Sequence, residues 1–518
     1  MSELQRLHAP ADAATQNLYW FWDGPAAPMF DAAADAVRAA QGCRVDGGTF
    51  FGSFYESWWH EHTNVAQIAL TFRLDGAARV QLVRRDANGV EQIIYDEEWQ
   101  GRGETAHLPP LDLAAGYAGS RLFPRFVILS ETATFSAIAW RSDAPPVRTV
   151  KLAVVLCTFN REDDLAAILV ALAALRQENS IGDIFVVNHG EAGLAARLHE
   201  RPALAALSLK VFDQENLGGS GGFTRGLVEA LEDGVATHAL LLDDDIVVAA
   251  PVLRRLAVVA AHMKMDSAIG GAMLDRMRPT WLHNQVTRLD AVRHKVVPVI
   301  ANGDLALPQH LDQGATPYAA DFCGWWCCVL PMAAVRQAGL PLPFFIHYDD
   351  VEYGLRLRAS GVSSVSWSGI AVWHEPFYAK ASAWRRYYDF RNVLFMLAYH
   401  DRLEGKAMRR EFAWRFAVNI RKHDYAAAWA TLQAVADFRA GPSVLAAWNA
   451  DSHRDLNAAA NCWGSSGTVL CFDSEKLARL SATFCRLYAT CFFAPRWPLD
   501  ELRQLGTTAF WRGRLRRR

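Results

Sequence analysis

The sequence of 518 residues predicts a three-part α/β protein, with a β-sandwich, a central core built on a mostly parallel sheet, and a helical domain. Three observations predict this. Short alternating segments separated by turns fill residues 1–145, strands alternate with helical segments over 146–381, and helical periodicity continues over 382–518. These patterns are typical of a sandwich, of βα units and of packed helices. We therefore expect these three ranges to be three domains.

Composition and charge narrow the class of protein. Hydrophobic residues make up 51% of the chain and charged residues 21%, so large cores can form. A net charge of -2 gives no global electrostatic reason to bind nucleic acid. An odd number of cysteines, 9, favours reduced thiols over a disulfide framework. Neither a secretory signal nor an apolar run of about 18 residues is evident, so we expect a cytoplasmic or peripheral protein.

The N-terminal range has the spacing of a sandwich. Residues 66–74 and 78–83 alternate apolar and polar side chains, with a turn expected at Gly76, and shorter strands are predicted at 92–95, 125–129 and 135–140. An aromatic-dense stretch runs from Thr49 to Trp59. It is explained either as core packing, which aromatic residues dominate, or as a platform against which a sugar ring lies.

The central range is organised around Asp243-Asp244-Asp245, which follow the apolar residues 240–242. The apolar run reads as a buried strand, so the acids fall at its carboxyl edge, where open α/β sheets bind ligands. Strand side chains alternate, so Asp243 and Asp245 face one way and Asp244 the other. One pair can therefore share a divalent metal; a solvated acidic turn is the alternative.

Two other turns follow strands of this range. Thr158, Asn160 and Arg161 come after the strand predicted at 152–157, where Asn160 is either a helix cap or, with Arg161, a contact to a nucleotide. The glycines of 218–222 allow close backbone approach, and a helix starting near Phe223 would offer N–H groups to an anion. The spacing fits neither a dinucleotide fingerprint nor a Walker loop, which argues against dehydrogenase and phosphotransfer functions.

Two further segments carry candidate chemistry. Asp349 and Asp350 open a predicted helix, either as simple capping or as a general base whose pKa is raised by a nearby apolar wall. A second predicted strand ends at His374. A lone histidine there is usually structural, but an imidazole would complete a Mn²⁺ site with Asp243 and Asp245.

Taken in order, these motifs resemble the inverting GT-A glycosyltransferases, and most closely the galactofuranosyltransferases that polymerise mycobacterial galactan. The resemblance covers residues 150–395 and implies an α/β GT-A (Rossmann-like) core. It implies that Asp243, Asp245 and His374 bind Mn²⁺ or Mg²⁺, that Asp350 is the general base, and that Asp349 holds hydroxyl groups. The nucleotide-sugar site would comprise Thr158, Asn160, Arg161, His189, Asn216, Gly219, Asp243 and Asp244, and the acceptor site Trp325, Trp326, His347 and Asp349.

The sequence departs from that family at two places. Asn188-His189 stands where an Asp-Gln-Gly type of turn is expected, and His347-Tyr348 replaces a Lys-Trp pair. The expected reaction is transfer of galactofuranose from UDP-galactofuranose to a lipid-linked surface glycan. Another donor, such as dTDP-rhamnose or a pyranose nucleotide, and a non-catalytic carbohydrate-binding protein are the alternatives. Processive or single transfer is left open, and so is a homo-oligomer.

The C-terminus is basic and aromatic. The last seven residues, 512–518, include five arginines. They are preceded by Arg496, Trp497, Phe510 and Trp511. We expect it either to bind an anionic membrane leaflet, with each arginine contributing ~1 kcal/mol, or to be a solvated tail.

Overall fold

A computed structural model of the chain describes residues 1–113, 119–175, 178, 180–204, 207–290, 295–376, 383–464, 472–490 and 494–515. The described strands are β1 (Ser2–Arg6), β2 (Phe21–Asp23), β3 (Met29–Asp31), β4 (Ala36–Ala40), β5 (Arg44–Asp46), β6 (Gln67–Asp86), β7 (Glu91–His107), β8 (Leu111–Asp112), β9 (Ser120–Ile128), β10 (Thr132–Ser142), β11 (Leu152–Thr158), β12 (Ile181–Asn188), β13 (Leu209–Asp213), β14 (His238–Asp243), β15 (Ile246–Val247), β16 (Ser267–Asp275), β17 (Arg278–Asn284), β18 (Val286–Asp290), β19 (Lys295–Ile300), β20 (Gly303–Asp304), β21 (Cys327–Pro331) and β22 (Ser363–His374).

The described α-helices are α1 (Glu56–His62), α2 (Glu162–Ala173), α3 (Leu194–His199), α4 (Gly218–Asp233), α5 (Ala250–His262), α6 (Pro308–Gln313), α7 (Met332–Ala338), α8 (Asp349–Ala359), α9 (Ala383–Tyr399), α10 (Gly405–Arg421), α11 (Tyr425–Ala440), α12 (Ser443–Ala447), α13 (Ala450–Trp463), α14 (Ser474–Thr490), α15 (Leu499–Gln504) and α16 (Thr508–Leu515). Two short 3₁₀ helices lie at Ala13–Leu18 and Pro202–Leu204.

Strands β1 to β10 form one antiparallel sheet of ten strands. Its central strand, β6, pairs with β10 along its first half and with β9 along its second half. The turn expected at Gly76 is wrong, because β6 continues through that residue at a φ of 115° while β7 pairs along both halves. Phe126 of β9 stacks on Phe135 of β10 at 4.5 Å, so side chains of the two halves meet in an apolar interior.

The central sheet also has ten strands, with β13, β12, β11 and β14 parallel and β21 antiparallel to β14. Alternate residues of β11 point to its two faces. Val154 and Leu156 pack with α2 and α5 on one face, while Val155 and Cys157 pack with α4 on the other. Because neighbouring parallel strands end together, Thr158 lies beside Asn188, and Cys157 beside Asp243.

The aromatic stretch between Thr49 and Trp59 joins the two sheets. Its rings are buried, and Trp58 and Trp59 contact Trp367 of β22 at 5.8 and 5.4 Å between ring centroids. The Trp58 indole N–H donates to the carbonyl of Gly314. Core packing is therefore confirmed, and the sugar-platform explanation is wrong because no ring face is open to solvent.

A buried ion-pair cluster reinforces the same interface. Asp312 of α6 accepts hydrogen bonds from Arg85 and Arg121, which come from β6 and β9. Arg121 is only 1% exposed and also donates to the carbonyl of Gly48. The N-terminal sheet and the central core thus share one continuous interior.

Helices α9 to α16 form the C-terminal region around a separate apolar cluster. The predicted boundary between residues 381 and 382 lies outside the described residues. No helix in the described part of the chain is long and apolar enough to cross a membrane.

The C-terminal aromatic residues pack inside the protein. Trp511 is fully buried and donates its indole N–H to the carbonyl of Pro341, and Trp497 donates to the carbonyl of Phe438. Arg512 pairs with Glu232, and Arg514 donates to main-chain carbonyls. These two tryptophans are therefore not available to a membrane surface. Arg516 to Arg518 lie outside the described residues, and binding of the arginines to an anionic leaflet stays a prediction.

Candidate active site

Three candidate metal ligands, Asp243, Asp245 and His374, meet where β14 ends, and we call them the metal-ligand group. Strand β15 pairs with the end of β22 and sets Ile246 opposite His374, which brings the imidazole against the acidic run. The Nε2 atom of His374 lies 2.9 Å from Oδ1 of Asp245 and 3.4 Å from Oδ2 of Asp243. The ligand atoms of the three residues lie within 4.8 Å of one another.

The chemistry of this group fits a divalent cation. Burial lowers the pKa of His374, but the hydrogen bonds and charges of Asp243 and Asp245 outweigh it and raise the pKa to about 10. A proton on the imidazole thus compensates the two carboxylates, and a cation can do the same. The Nδ1 atom lies 2.6 Å from the carbonyl of Glu375, which directs Nε2 towards the carboxylates. Two carboxylates and one imidazole suit Mn²⁺.

Asp244 points the other way, as the alternation of the strand predicts. Its Oδ2 accepts a hydrogen bond from the backbone N–H of Phe159 at 3.1 Å. Burial and the neighbouring charge of Asp243 raise the pKa of Asp244 to about 7. Asp244 therefore ties the acidic run to the turn after β11.

That turn carries three of the predicted nucleotide contacts. Thr158 is buried, whereas Asn160 is exposed and has a φ of 55°. The expectation that Asn160 caps a helix is wrong, because α2 begins at Glu162 and its cap position is held by Arg161. Arg161 lies about a third exposed beside Glu375, at 3.1 Å, so its guanidinium borders the metal-ligand group.

The glycine run is helical from its first residue. Helix α4 begins at Gly218 and not near Phe223, which corrects the prediction. A Cβ at Gly222 would lie 2.0 Å from Sγ of Cys157, so the glycine lets α4 lie directly on β11. Asn216 accepts from the backbone N–H of Gly218 at 2.9 Å, and Gly219 is half-buried next to Asp349.

His189 and Asn188 are held inside the protein beneath this helix. His189 lies 2.8 Å from Nε2 of Gln214 and 3.5 Å from Sγ of Cys157, and burial lowers its pKa to about 4. The Asn188 amide donates to Asp213 and to the carbonyl of Glu191, both at 2.7 Å. The structure thus places both residues in support of the turn.

The two adjacent acids open α8, as predicted. Ser220 of α4 donates to Oδ2 of Asp349 at 2.9 Å, and Asp350 accepts from the N–H of Val351 at 2.8 Å. Burial, and next the charge of Asp349, raise the pKa of Asp350 to about 8. A carboxylate with a pKa near neutrality is well suited to general base catalysis.

The metal-ligand group and the acid pair lie close to each other. Helix α4 links them: a Cβ at Gly222 would lie 2.0 Å from Sγ of Cys157, which is paired beside Asp243, and Ser220 of the same helix donates to Asp349. Burial, and then the charges of Asp244, Asp243 and Asp349, raise the pKa of the Cys157 thiol. Both groups therefore lie beside the first turns of α4.

The predicted acceptor residues differ in exposure. Trp325 is buried edge-on against Phe223 and Tyr353, and Trp326 donates its indole N–H to the carbonyl of Gly271. His347 is about a quarter exposed, with Nδ1 lying 3.0 Å from Asp389. His347 is thus more accessible than the two tryptophans, which are buried.

The sequence matches a known family over the central region. Residues 149–391 match the family described as Glycosyltransferase like family 2. Over this range the chain is similar to family 2 glycosyltransferases. Together with the mixed sheet, this makes the fold GT-A-like, followed by a helical region.

Two curated relatives align beyond that domain. The galactofuranosyltransferase GlfT2 of Mycobacterium tuberculosis is 29% identical over 374 residues, which cover 69% of this chain and 58% of the relative. GlfT2 of Mycolicibacterium smegmatis is 29% identical over 388 residues, with the same two shares. The chain therefore spans under three-fifths of the length of these relatives. Among solved structures, a mannosyltransferase from Pyrobaculum calidifontis is 13% identical with a TM-score of 0.35, over 67% of this chain and 88% of that one.

Three residues near the candidate site, Phe159, Ser220 and Asn392, were not predicted from the sequence. Phe159 is 55% exposed beside the acidic run, and its place between Thr158 and Asn160 was the available signal. Ser220 touches Asp349, but a serine among glycines reads as part of a turn. Asn392 lies in a helix outside the motifs, and no local pattern marked it.

Proposed function

We propose that the protein is a metal-dependent inverting glycosyltransferase that moves galactofuranose from UDP-galactofuranose to a hydroxyl of a lipid-linked surface glycan. The observation that carries this proposal is that the Asp243-Asp245-His374 group and the acid pair Asp349-Asp350 both lie beside the first turns of α4, through Cys157 and Ser220. The likeness to galactofuranosyltransferases supports the choice of sugar. A cytoplasmic location, peripheral to the membrane, follows from such an acceptor.

In this proposal the donor lies beside the metal-ligand group. Asp243, Asp245 and His374 would hold Mn²⁺ or Mg²⁺, which when bound would neutralise the diphosphate and stabilise the departing UDP. Arg161, beside this group, adds positive charge next to the phosphates. The remaining donor contacts are assigned to Thr158, Asn160, His189, Asn216, Gly219 and Asp244.

The acceptor approaches from the α8 side. The Asp350 carboxylate takes the proton of an acceptor hydroxyl while that oxygen bonds to the anomeric carbon. The bond from that carbon to the UDP oxygen breaks on the opposite face, so the configuration inverts. Asp349 and His347 orient hydroxyl groups, and Trp325 and Trp326 provide the apolar wall.

The three sequence ranges keep separate roles in this proposal. Residues 146–381 perform the transfer, 1–145 form a β-sandwich that buttresses them, and 382–518 complete the acceptor side.

A nucleotide-release assay tests the function. The full chain is incubated with Mn²⁺ and single nucleotide sugars, with and without a galactofuranosyl acceptor, and release of UDP or dTDP is measured. We expect acceptor-dependent release from UDP-galactofuranose that is lost in Asp350→Ala and retained in Asp451→Ala, an exposed acid in α13. If nucleotide is released only from another donor, the assigned sugar is wrong. If Asp350→Ala releases nucleotide as fast as the wild type, Asp350 is not the base.

A further inference from the structure

The loop that delivers the acid pair has an uncommon backbone. Phe345, His347 and Tyr348, immediately before α8, have φ values of 72°, 66° and 64°. Residues with a Cβ rarely adopt this left-handed region, and three in four consecutive positions require external support. Tyr348 occupies the cap position of α8, so its conformation sets the direction in which Asp349 and Asp350 leave the loop.

One side chain of the C-terminal region holds this loop. Asn392 of α9 is fully buried, and its Nδ2 donates to the carbonyls of Ile346 and His347 at 2.9 and 2.8 Å. The carbonyl of Phe344 lies 3.4 Å from the same nitrogen. Both hydrogens of one amide are thus used on successive peptide groups of the loop.

Arg391 fixes the orientation of that amide. Its Nε donates to Oδ1 of Asn392 at 2.9 Å, so the amide nitrogen must face the loop. The same guanidinium donates to the carbonyl of Phe344 at 2.8 Å. Its central carbon lies within 5.0 Å of the ring centroids of Tyr387, Tyr388 and Trp448. These cation–π contacts hold the Arg391 side chain in one position.

The same loop also contacts helix α4. A Cβ at Gly218 would lie 1.9 Å from the carbonyl oxygen of Phe345, so the start of α4 abuts the loop. Ser220 then reaches Asp349 from the same helix. The loop is therefore clamped between α4 and α9.

We propose that Asn392, oriented by Arg391, is a positioning residue for the transfer reaction. It keeps the loop in its left-handed conformation and thereby aims Asp350 at the acceptor hydroxyl. The expected effect on the transfer rate rests on the proposed function. The contact of Asn392 with the loop does not depend on that function.

The test is Asn392→Asp in the full chain, which keeps the side-chain size and the acceptor for Arg391 but removes the Nδ2 donors. We expect kcat for transfer to fall at least thirtyfold, while the Kd for UDP with Mn²⁺ stays within threefold. Amide hydrogen exchange in peptides covering 344–352 should accelerate at least tenfold. Asn419→Asp is the matched control, since Asn419 lies in α10 and its amide contacts Thr431.

The two readouts separate this inference from the proposed function. Unchanged exchange in 344–352 for Asn392→Asp overturns the clamp, whether or not the wild type transfers sugar. Faster exchange without any wild-type activity supports the clamp and rejects the function. If Asn392→Asp does not fold, Asn392→Ser, which fits the same space and retains one donor, should show intermediate exchange; wild-type exchange in that variant overturns the clamp.

Discussion

Replacing Asp350 by asparagine should stabilise the protein at pH 8 while strongly slowing transfer. The pKa of this carboxyl is raised by burial and by Asp349 to about 8. The folded state therefore keeps a proton between about pH 4 and pH 8 that the unfolded state loses. Stability falls as the pH rises through this window and levels off above it. Asparagine carries no ionisable group, so that variant escapes the fall.

The size of the effect follows from the pKa difference. Each pKa unit corresponds to about 1.4 kcal/mol, so the step from about 3.9 to about 8 sets an upper bound of about 6 kcal/mol. Asp350 is partly exposed, so solvent screening reduces this to about 2 to 3 kcal/mol. The loss of the general base should lower kcat by about 10² to 10⁴.

Thermal or urea unfolding of the wild type and of Asp350→Asn at pH 5 and pH 8 measures this difference in stability. The gain of Asp350→Asn over wild type should be larger at pH 8 than at pH 5, and Asp451→Asn, at an exposed position, should show no such difference. An equal gain at the two pH values, or a less stable variant at pH 8, would refute the reasoning.

Three other features give measurable expectations. For transfer by the wild type, kcat/KM should rise with pH up to about 8 because the Asp350 base must be ionised, and a profile flat from pH 5 to 9 contradicts this. His374→Ala should weaken Mn²⁺ binding at least tenfold by calorimetry, whereas Asp163→Ala, 95% exposed, should bind like wild type. Asp312→Asn leaves the buried Arg121 without its carboxylate and removes one of two acidic partners of the partly buried Arg85, so it should destabilise the fold by about 3 to 5 kcal/mol in urea unfolding, with UDP affinity unchanged.

The parts of the site that follow a strand or open a helix could be predicted from sequence. The apolar residues 240–242 predict a buried strand, so the acids that follow it lie at the sheet edge. Side chains of a strand alternate between its two faces, which separates Asp244 from its neighbours. His374 likewise ends an apolar strand. Asp349 and Asp350 belong at a helix N-terminus because acids are favoured there.

The parts that depend on long-range packing could not be predicted. Glycines 218–222 read as a turn, but contact with Cys157 makes them helical, since close approach of α4 to the sheet outweighs their low helix propensity. Gly76 likewise reads as a turn between strands, although pairing with β7 carries β6 through it. Asn392 acts on a loop more than 40 residues earlier, which no local periodicity reveals.

The interface made by Trp58, Trp59 and Asp312 limits how this protein can be divided. A fragment beginning at residue 146 would leave Trp367 uncovered and Asp312 without its two arginines. Exposed tryptophan and an orphaned carboxylate would favour aggregation over refolding of the fragment. Chimaeras between relatives should therefore keep residues 1–145 together with the central range, and should keep α9 with them, because Asn392 holds the loop before α8.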